Sequence, residues 1–416
     1  MCRTHNIDLG EILDGKTRSG LPRGSGRHRR GGAAHAQTVP VTIVNNTGIT
    51  GKMYITVYGQ DPSNVTSYLV SDATGKTKPL NTQNDTPTDY GFNTASTSTY
   101  TFNVPRLNSG RIYISFCQPS YLTVTPTGGG TGPLAPNSPA PWSPSSKNHT
   151  SVIDFAEYTW GPDNNFNVNT TQVDSLGIPM KMVLQNASQT VTAGFTDSNS
   201  SQTVVKTLVA TPPWSTLLIT DGKGRPTQVL SPNHGMESGY KFPTNYWDSY
   251  INLVLTTYSK AGKSFTLNNQ IGSVTTPYIG TTSATTISLT PKGSTNGTTF
   301  NKPTSKDLWG NGPSYKSGDK GPVPSLQRWM QAAFLRSTFI NSTNSISNCS
   351  VKPYQGLPQN LYSQTIHSAS INGKAYTFPY DDVCEQSSYN SVPAPTKLTL
   401  TLFPLSSTWN KMTCSN

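Results

Sequence analysis

Residues 151–180 read SVIDFAEYTWGPDNNFNVNTTQVDSLGIPM. Two strand-like runs flank GPDNN, whose Gly, Pro, Asp and Asn all favour tight turns. The stretch holds Asp154, Glu157, Asp163 and Asp174 in a chain with 20 acidic residues in all. A reversal around Asn165 and Phe166 sets Glu157 opposite Asp174 on neighbouring strands. Two carboxylates facing one another across a groove are what acid/base hydrolysis of a glycosidic bond requires. Two solvated strand-end acids are the plainer reading of the same pairing, so the remainder of the chain must decide between them.

With 416 residues the chain has room for one large or two ordinary domains, each with a real core. Only 12% of residues are charged, and 35 Gly and 32 Pro accompany abundant Ser, Thr and Asn. That is the profile of short strands joined by polar turns, a β-rich extracellular protein. No apolar run reaches the roughly 18 residues that span a bilayer, so no membrane segment is expected. The net charge of +11 is spread thinly outside residues 1–36 and forms no dense basic stripe, which argues against nucleic acid as a partner.

Of the five cysteines, Cys2 falls in an Arg- and Gly-rich leader, residues 1–36, expected to be disordered or missing from the mature protein. Ala34-His35-Ala36 has the form of a signal-peptidase site, although no apolar segment precedes it. Cys117, Cys349, Cys384 and Cys414 remain, enough for two disulfides. Ten N-x-S/T sequons also fit secretion. Neither a C-x-x-C pair nor a His cluster offers metal-ligand spacing, so no metal and no cofactor is expected. His234 and His367 read as isolated, and no G-x-S-x-G accompanies them, which disfavours a serine or cysteine hydrolase.

VPVTIVNNTG and KMYITVYG alternate apolar and polar residues around a Gly-containing break and read as a hairpin. GRIYISFC puts Arg111 and Tyr113 on one face and Ile112 and Ile114 on the other. Residues 125–148 form a Gly/Pro/Ser loop, either a groove rim or a mobile lid, in which Trp142 either stacks on a sugar or pins the loop. FPTNYWDSYINLVLTTYSK has Tyr246, Tyr250, Val254 and Tyr258 at helical spacing. SLQRWMQAAFLRSTF is a second helix with Ser325 as its N-cap. KAYTFPYDDV and KLTLTLF return to strands. The expected fold is therefore mainly β, a sandwich or barrel with an inserted mixed α/β domain and a wide groove between them. The expected boundaries are 37–205 plus 356–416 for the β domain and 206–355 for the insertion.

FAEYTW followed by NTTQVDSLGIPM, then NYWDSYINLVLTTYS, DLWGNGP, AAFLRSTF and GKAYTFPYDDV occur in an order and spacing that resembles glycoside hydrolase family 64. These are the thaumatin-like β-1,3-glucanases of the laminaripentaose-producing type, and the resemblance covers residues 39–405. It implies a secreted, endo-acting and inverting hydrolase of laminarin- or curdlan-type glucan, with Glu157 in EYT as general acid and Asp174 in TQVD as general base. Thr159 and Thr171 match threonines near the bound sugar, and the family's aromatic contact falls near Phe166. With Tyr158, Trp160 and Asn167 these make up the expected substrate-binding set. Trp160 is the favoured aromatic platform because it enters the turn directly after the acid, while Trp214 and Trp247 are equally readable as core.

The roles suit the sequence neighbourhoods. Glu157 lies between Ala156 and Tyr158 on an apolar strand, which favours a protonated carboxyl, and Asp174 follows polar NTTQ. Asp154 is an odd number of positions from Glu157 and is expected on the opposite face. Inversion needs carboxyls roughly 6.5–9.5 Å apart, wider than a directly opposed strand pair provides, so the strands are expected to splay. The competing expectation is a non-catalytic thaumatin-like wall-binding or antifungal protein, which keeps the aromatics without needing both acids. In either case a monomer acting on β-1,3-glucan is expected.

Overall fold

The apolar positions of Thr38–Asn45 (β1), Val39, Val41 and Ile43, are buried, as an alternating strand demands. Lys52–Gln60 (β2) follows, but the two strands do not form a hairpin. A computed structural model describes residues 37–414 apart from 64–65, 96–97, 238, 272, 311–322 and 341–344; the leader and Cys2 lie outside these residues. In it, β1 runs antiparallel to Thr99–Pro105 (β3) while β2 pairs with Asn108–Phe116 (β4) in another sheet. The connection between β1 and β2 is too long for a tight two-residue turn. It crosses between sheets at Gly51, which has φ +102° and where a Cβ would also meet Cys414 backbone and side-chain atoms at 2.6 Å.

Among the described residues the protein is mainly β. Val152–Trp160 (β5), Asn165–Thr170 (β6), Met180–Gln185 (β7), Thr190–Gly194 (β8), Asn390–Pro393 (β9) and Lys397–Leu402 (β10) complete the two larger sheets. The five-stranded sheet has the order β8-β7-β10-β1-β3, and β10 lies parallel to β1, with Val41 beside Leu398 and Ile43 beside Leu400. The other sheet runs β9-β6-β5-β4-β2 and continues through two short strands, 67–70 and 77–79. Inward residues of both sheets, among them Ile43, Leu400, Ile55, Ile114 and Tyr158, belong to one continuous hydrophobic cluster. The opposite face of the second sheet carries a smaller cluster around Tyr58, Tyr113 and Ile153. The 125–148 segment contributes a strand, 134–137, and its Ser138 hydroxyl bonds to the Tyr58 hydroxyl at 3.2 Å.

Helix Asp248–Tyr258 buries Tyr250, Val254 and Tyr258 at the expected spacing. The next long helix begins at Val323 rather than after a Ser325 cap, and Ser325 instead donates to Asn269 Oδ1 at 2.6 Å. A four-stranded antiparallel sheet spans 265–301. KAYTFPYDDV is not a strand. Asp381 within it is fully buried and accepts bonds from Arg336 Nη2, His367 Nε2, Thr377 N and Thr377 Oγ1 at 2.7–3.0 Å. A buried carboxylate has to be surrounded by donors, and gathering them folds the segment into a loop. The same bonds account for His367, and the disulfides are Cys117–Cys414 and Cys349–Cys384. Among the described residues no helix is long and apolar enough to cross a membrane.

Candidate active site

Glu157 sits in the middle of three strands, with Arg111 of β4 beside it on one side and Asn169 of β6 on the other. Asp174 is therefore not its cross-strand partner. The chain reverses earlier than the Asn165–Phe166 position expected from composition. Asn164 takes φ +63°, its N–H bonds to Gly161 O at 3.2 Å, and Arg106 grips both Gly161 O and Asn164 Oδ1. Asp174 follows the end of β6, and its carbonyl accepts the Ser231 N–H at 2.9 Å. The two acids thus come from different elements, and the close spacing of a directly opposed strand pair does not constrain them.

Their surroundings differ. Glu157 is 5% exposed, and burial pushes its carboxyl pKa up. Arg111, whose Nε lies 3.5 Å from Glu157 Oε1, pulls in the other direction, and Asp174 adds a further push upward. The net direction is up. Arg111 is itself fixed by a bond to Ser138 Oγ at 2.5 Å and lies 5.1 Å from the Phe155 ring centre.

The Asp174 side chain is 48% exposed and faces His234, with 3.2 Å between Oδ1 and Nε2. His234 Nδ1 bonds to Glu237 Oε1 at 2.8 Å, and the imidazole stacks on Trp142 at 4.0 Å between ring centres. Burial lowers the His234 pKa, but bonds to Asp174 and Glu237 more than offset it and carry it up to about 9. At neutral pH His234 is thus an imidazolium held between two carboxylates. Stabilisation from a raised histidine pKa is complete below its unfolded value of 6.5 and disappears as pH rises through about 9. His234→Gln is expected to lower kcat/KM by about 10- to 100-fold, the worth of one hydrogen bond to a charged group. Activity of the wild type should decline through that alkaline range, and the variant's pH–rate profile should lack this decline.

Asp154 is buried, lines the same groove as Asp174, Thr171 and Phe155, and burial brings its pKa up to about 7. Its carboxyl accepts the Phe155, Gly177 and Ile178 N–H groups at 2.8–3.1 Å. It ties the turn that carries Asp174 to the strand that carries Glu157. The tie needs the backbone to approach closely at Gly177, where a Cβ would lie 2.0 Å from Ile153 O and 2.5 Å from Gln228 Nε2. Gly177→Ala should cost about 1–3 kcal/mol in chemical denaturation, as overpacking against backbone does, and should reduce kcat as well.

Three expected sugar contacts are corrected. Tyr158, Trp160 and Phe166 have no exposed surface, since they occupy the strand positions that point into the core. Tyr158 and Phe166 stack at 5.2 Å, Trp160 Nε1 bonds to Asn164, and Arg106 covers the Trp160 ring at 4.6 Å. Trp214 and Trp247 are core as well. Asn167 is buried, and its Oδ1 accepts from the Tyr389 hydroxyl at 2.5 Å and Ser391 Oγ at 2.8 Å. Thr159 and Thr171 are half-buried. Thr159 Oγ1 accepts from Ser109 N, and Thr171 shares a groove with Asp174, Trp142, Phe155, Tyr113 and Ser138. Trp142 pins its loop, accepting the Tyr240 hydroxyl at its carbonyl and stacking on His234. Arg111, Asn169, His234 and Glu237 also surround the two carboxyls, and only the His-x-x-Glu spacing of 234 and 237 is a local sign of them in the sequence.

A sequence profile described as Beta-1,3-glucanase, glycoside hydrolase family 64, matches residues 37–402. Two proteins named glucan endo-1,3-beta-glucosidase, from Arthrobacter sp. (strain YCWD3) and Cellulosimicrobium cellulans, are each 26% identical over 285 residues, 68% of this chain. The chain spans half the length of these relatives. A crystal structure of a laminaripentaose-producing beta-1,3-glucanase in complex with laminaritetraose superposes with a TM-score of 0.76 at 26% identity, over 88% of this chain and 99% of that one. A beta-1,3-glucanase domain from Clostridium beijerinckii has the same fold, with a TM-score of 0.71 at 21% identity over 90% of this chain and all of that one.

Proposed function

The chain belongs to glycoside hydrolase family 64, the β-1,3-glucanases, and on that premise we propose that it is a secreted, endo-acting hydrolase of β-1,3-glucan that works with inversion. Glu157 is the general acid and Asp174 the general base. The contrast between the two carboxyls carries this reading. Glu157 is buried with its pKa displaced upward, which favours the protonated form that a general acid needs for the leaving glycosidic oxygen. Asp174 is half open to water and backed by the His234 imidazolium, so its carboxylate is stabilised beside the place where a nucleophilic water would stand. That they stand on separate elements is consistent with the wider gap inversion needs.

Thr159 and Thr171 are the proposed hydroxyl contacts, and the half-buried Phe155 and Trp142 supply ring surface along the groove. We take residues 37–205 plus 356–416 as a thaumatin-like β domain with 206–355 inserted. The first and last long strands are neighbours in one sheet, and the 265–301 sheet is formed wholly within the insertion. The two disulfides favour an oxidising, extracellular location, and the proposed site is assembled from a single chain, as a monomer requires.

Reducing ends released from laminarin, with the first-formed anomer followed by proton NMR, test this proposal. Release of the α-anomer from the β-linked polymer is expected. The β-anomer would overturn inversion, and glucan binding without release would favour the non-catalytic wall-binding alternative.

A further inference from the structure

Asn169 has a buried side-chain oxygen with no hydrogen-bond partner, and it lies directly across the strand pair from Glu157. An unpaired buried carbonyl is costly. Sequon or not, Asn169 is 6% exposed and cannot take a glycan in the folded protein. On the other flank of Glu157, Arg111 is committed to Glu157 and Ser138. An ionised Glu157 would set an oxygen lone pair against the Asn169 oxygen, whereas a neutral carboxyl carries one O–H and would satisfy it. We propose that Asn169 is a positioning residue whose side-chain oxygen accepts the hydrogen of the protonated Glu157 carboxyl in the resting enzyme and so keeps the general acid loaded until the leaving oxygen takes that hydrogen over.

This rests on the assignment of Glu157 as the acid. It adds a means of reloading: once the proton has gone to the leaving oxygen, the Glu157 carboxylate faces an acceptor it cannot pair with, and reprotonation restores the bond. The charged and titratable groups around Glu157 are Arg111 and Tyr113 on β4, Tyr58 on β2 and Asp174 beyond β6. Arg111 favours the ionised form, and Asn169 and Asp174 oppose it.

The test is the pH dependence of kcat/KM on laminarin, whose first alkaline limb reports the acid of the free enzyme. Asn169→Leu removes the acceptor and should move that limb down by about one pH unit, the equivalent of one ordinary hydrogen bond. Asn169→Asp sets a second carboxyl opposite the first and should move the limb up. A lower rate with the limb unmoved in both variants would make Asn169 merely structural and overturn the proposal. An upward shift in Asn169→Leu would also overturn it, because it would mean that the amide nitrogen faces Glu157. If Asn169→Leu fails to fold, the smaller Asn169→Ala, which also lacks the acceptor, decides instead by the same downward shift of the limb. Full activity in Glu157→Gln would instead sink the assignment on which the proposal stands.

Discussion

Glu157→Gln should reduce kcat on laminarin by about 10²- to 10⁴-fold, the usual contribution of a positioned general acid, with glucan affinity retained. Gln keeps the length and shape of Glu, so the strand, the Arg111 neighbour and the groove stay in place, but it has no proton acidic enough to hand over. The loss should depend on the leaving group. A sugar hydroxyl departs poorly unless protonated, whereas fluoride departs without help. A β-laminaribiosyl fluoride should therefore be hydrolysed by Glu157→Gln at close to the wild-type rate. An equal loss on polymer and fluoride would mean that Glu157 acts on something other than the leaving oxygen, and undiminished polymer hydrolysis would remove it from the mechanism.

Asp174→Asn should produce a loss of the same order, about 10²- to 10⁴-fold, but on both substrates, because water has to be activated whichever group leaves. In the proposed inverting reaction departure and attack belong to one displacement, so the double variant should be little worse than either single one. Asp174→Asn also takes one carboxylate from His234. Its pKa of about 9 rests on both Asp174 and Glu237, so it should fall in the variant, which NMR titration of the imidazole would detect. A His234 titration unchanged in Asp174→Asn would mean that the two side chains do not interact in solution.

The two candidate acids, Glu157 and Asp174, stand out in the sequence because the chain is poor in acids and they lie on either side of a strong turn. Their relation was not legible. Where the hairpin reverses depends on Asn164 adopting a left-handed conformation under the grip of Arg106, an arginine far away in sequence. The misreading of Trp160 had a different cause. Strand alternation, which separates Asp154 from Glu157, also separates Trp160 from Glu157, and applying it along the whole strand puts Tyr158 and Trp160 in the core. Arg111, Asn169 and His234 reach the acids through sheet register and a distant turn, and no local pattern reveals such contacts. The mainly β character could be read from alternation and turn residues. The loop around Asp381 could not, because its shape follows from donors contributed by Arg336 and His367.

The parallel pairing of β1 with β10 has a consequence for how the chain is made. On a ribosome adding about 5–20 residues per second, β1 emerges about 20–70 s before the strand that completes its sheet. Through that interval β1 presents a row of unpaired backbone groups, open to pairing with another nascent chain. The proline at position 40, which has no N–H to offer, limits that hazard. The wait also sets an order of events: both pairings of β10, with β7 and with β1, become available only after the other four strands of the sheet have been made.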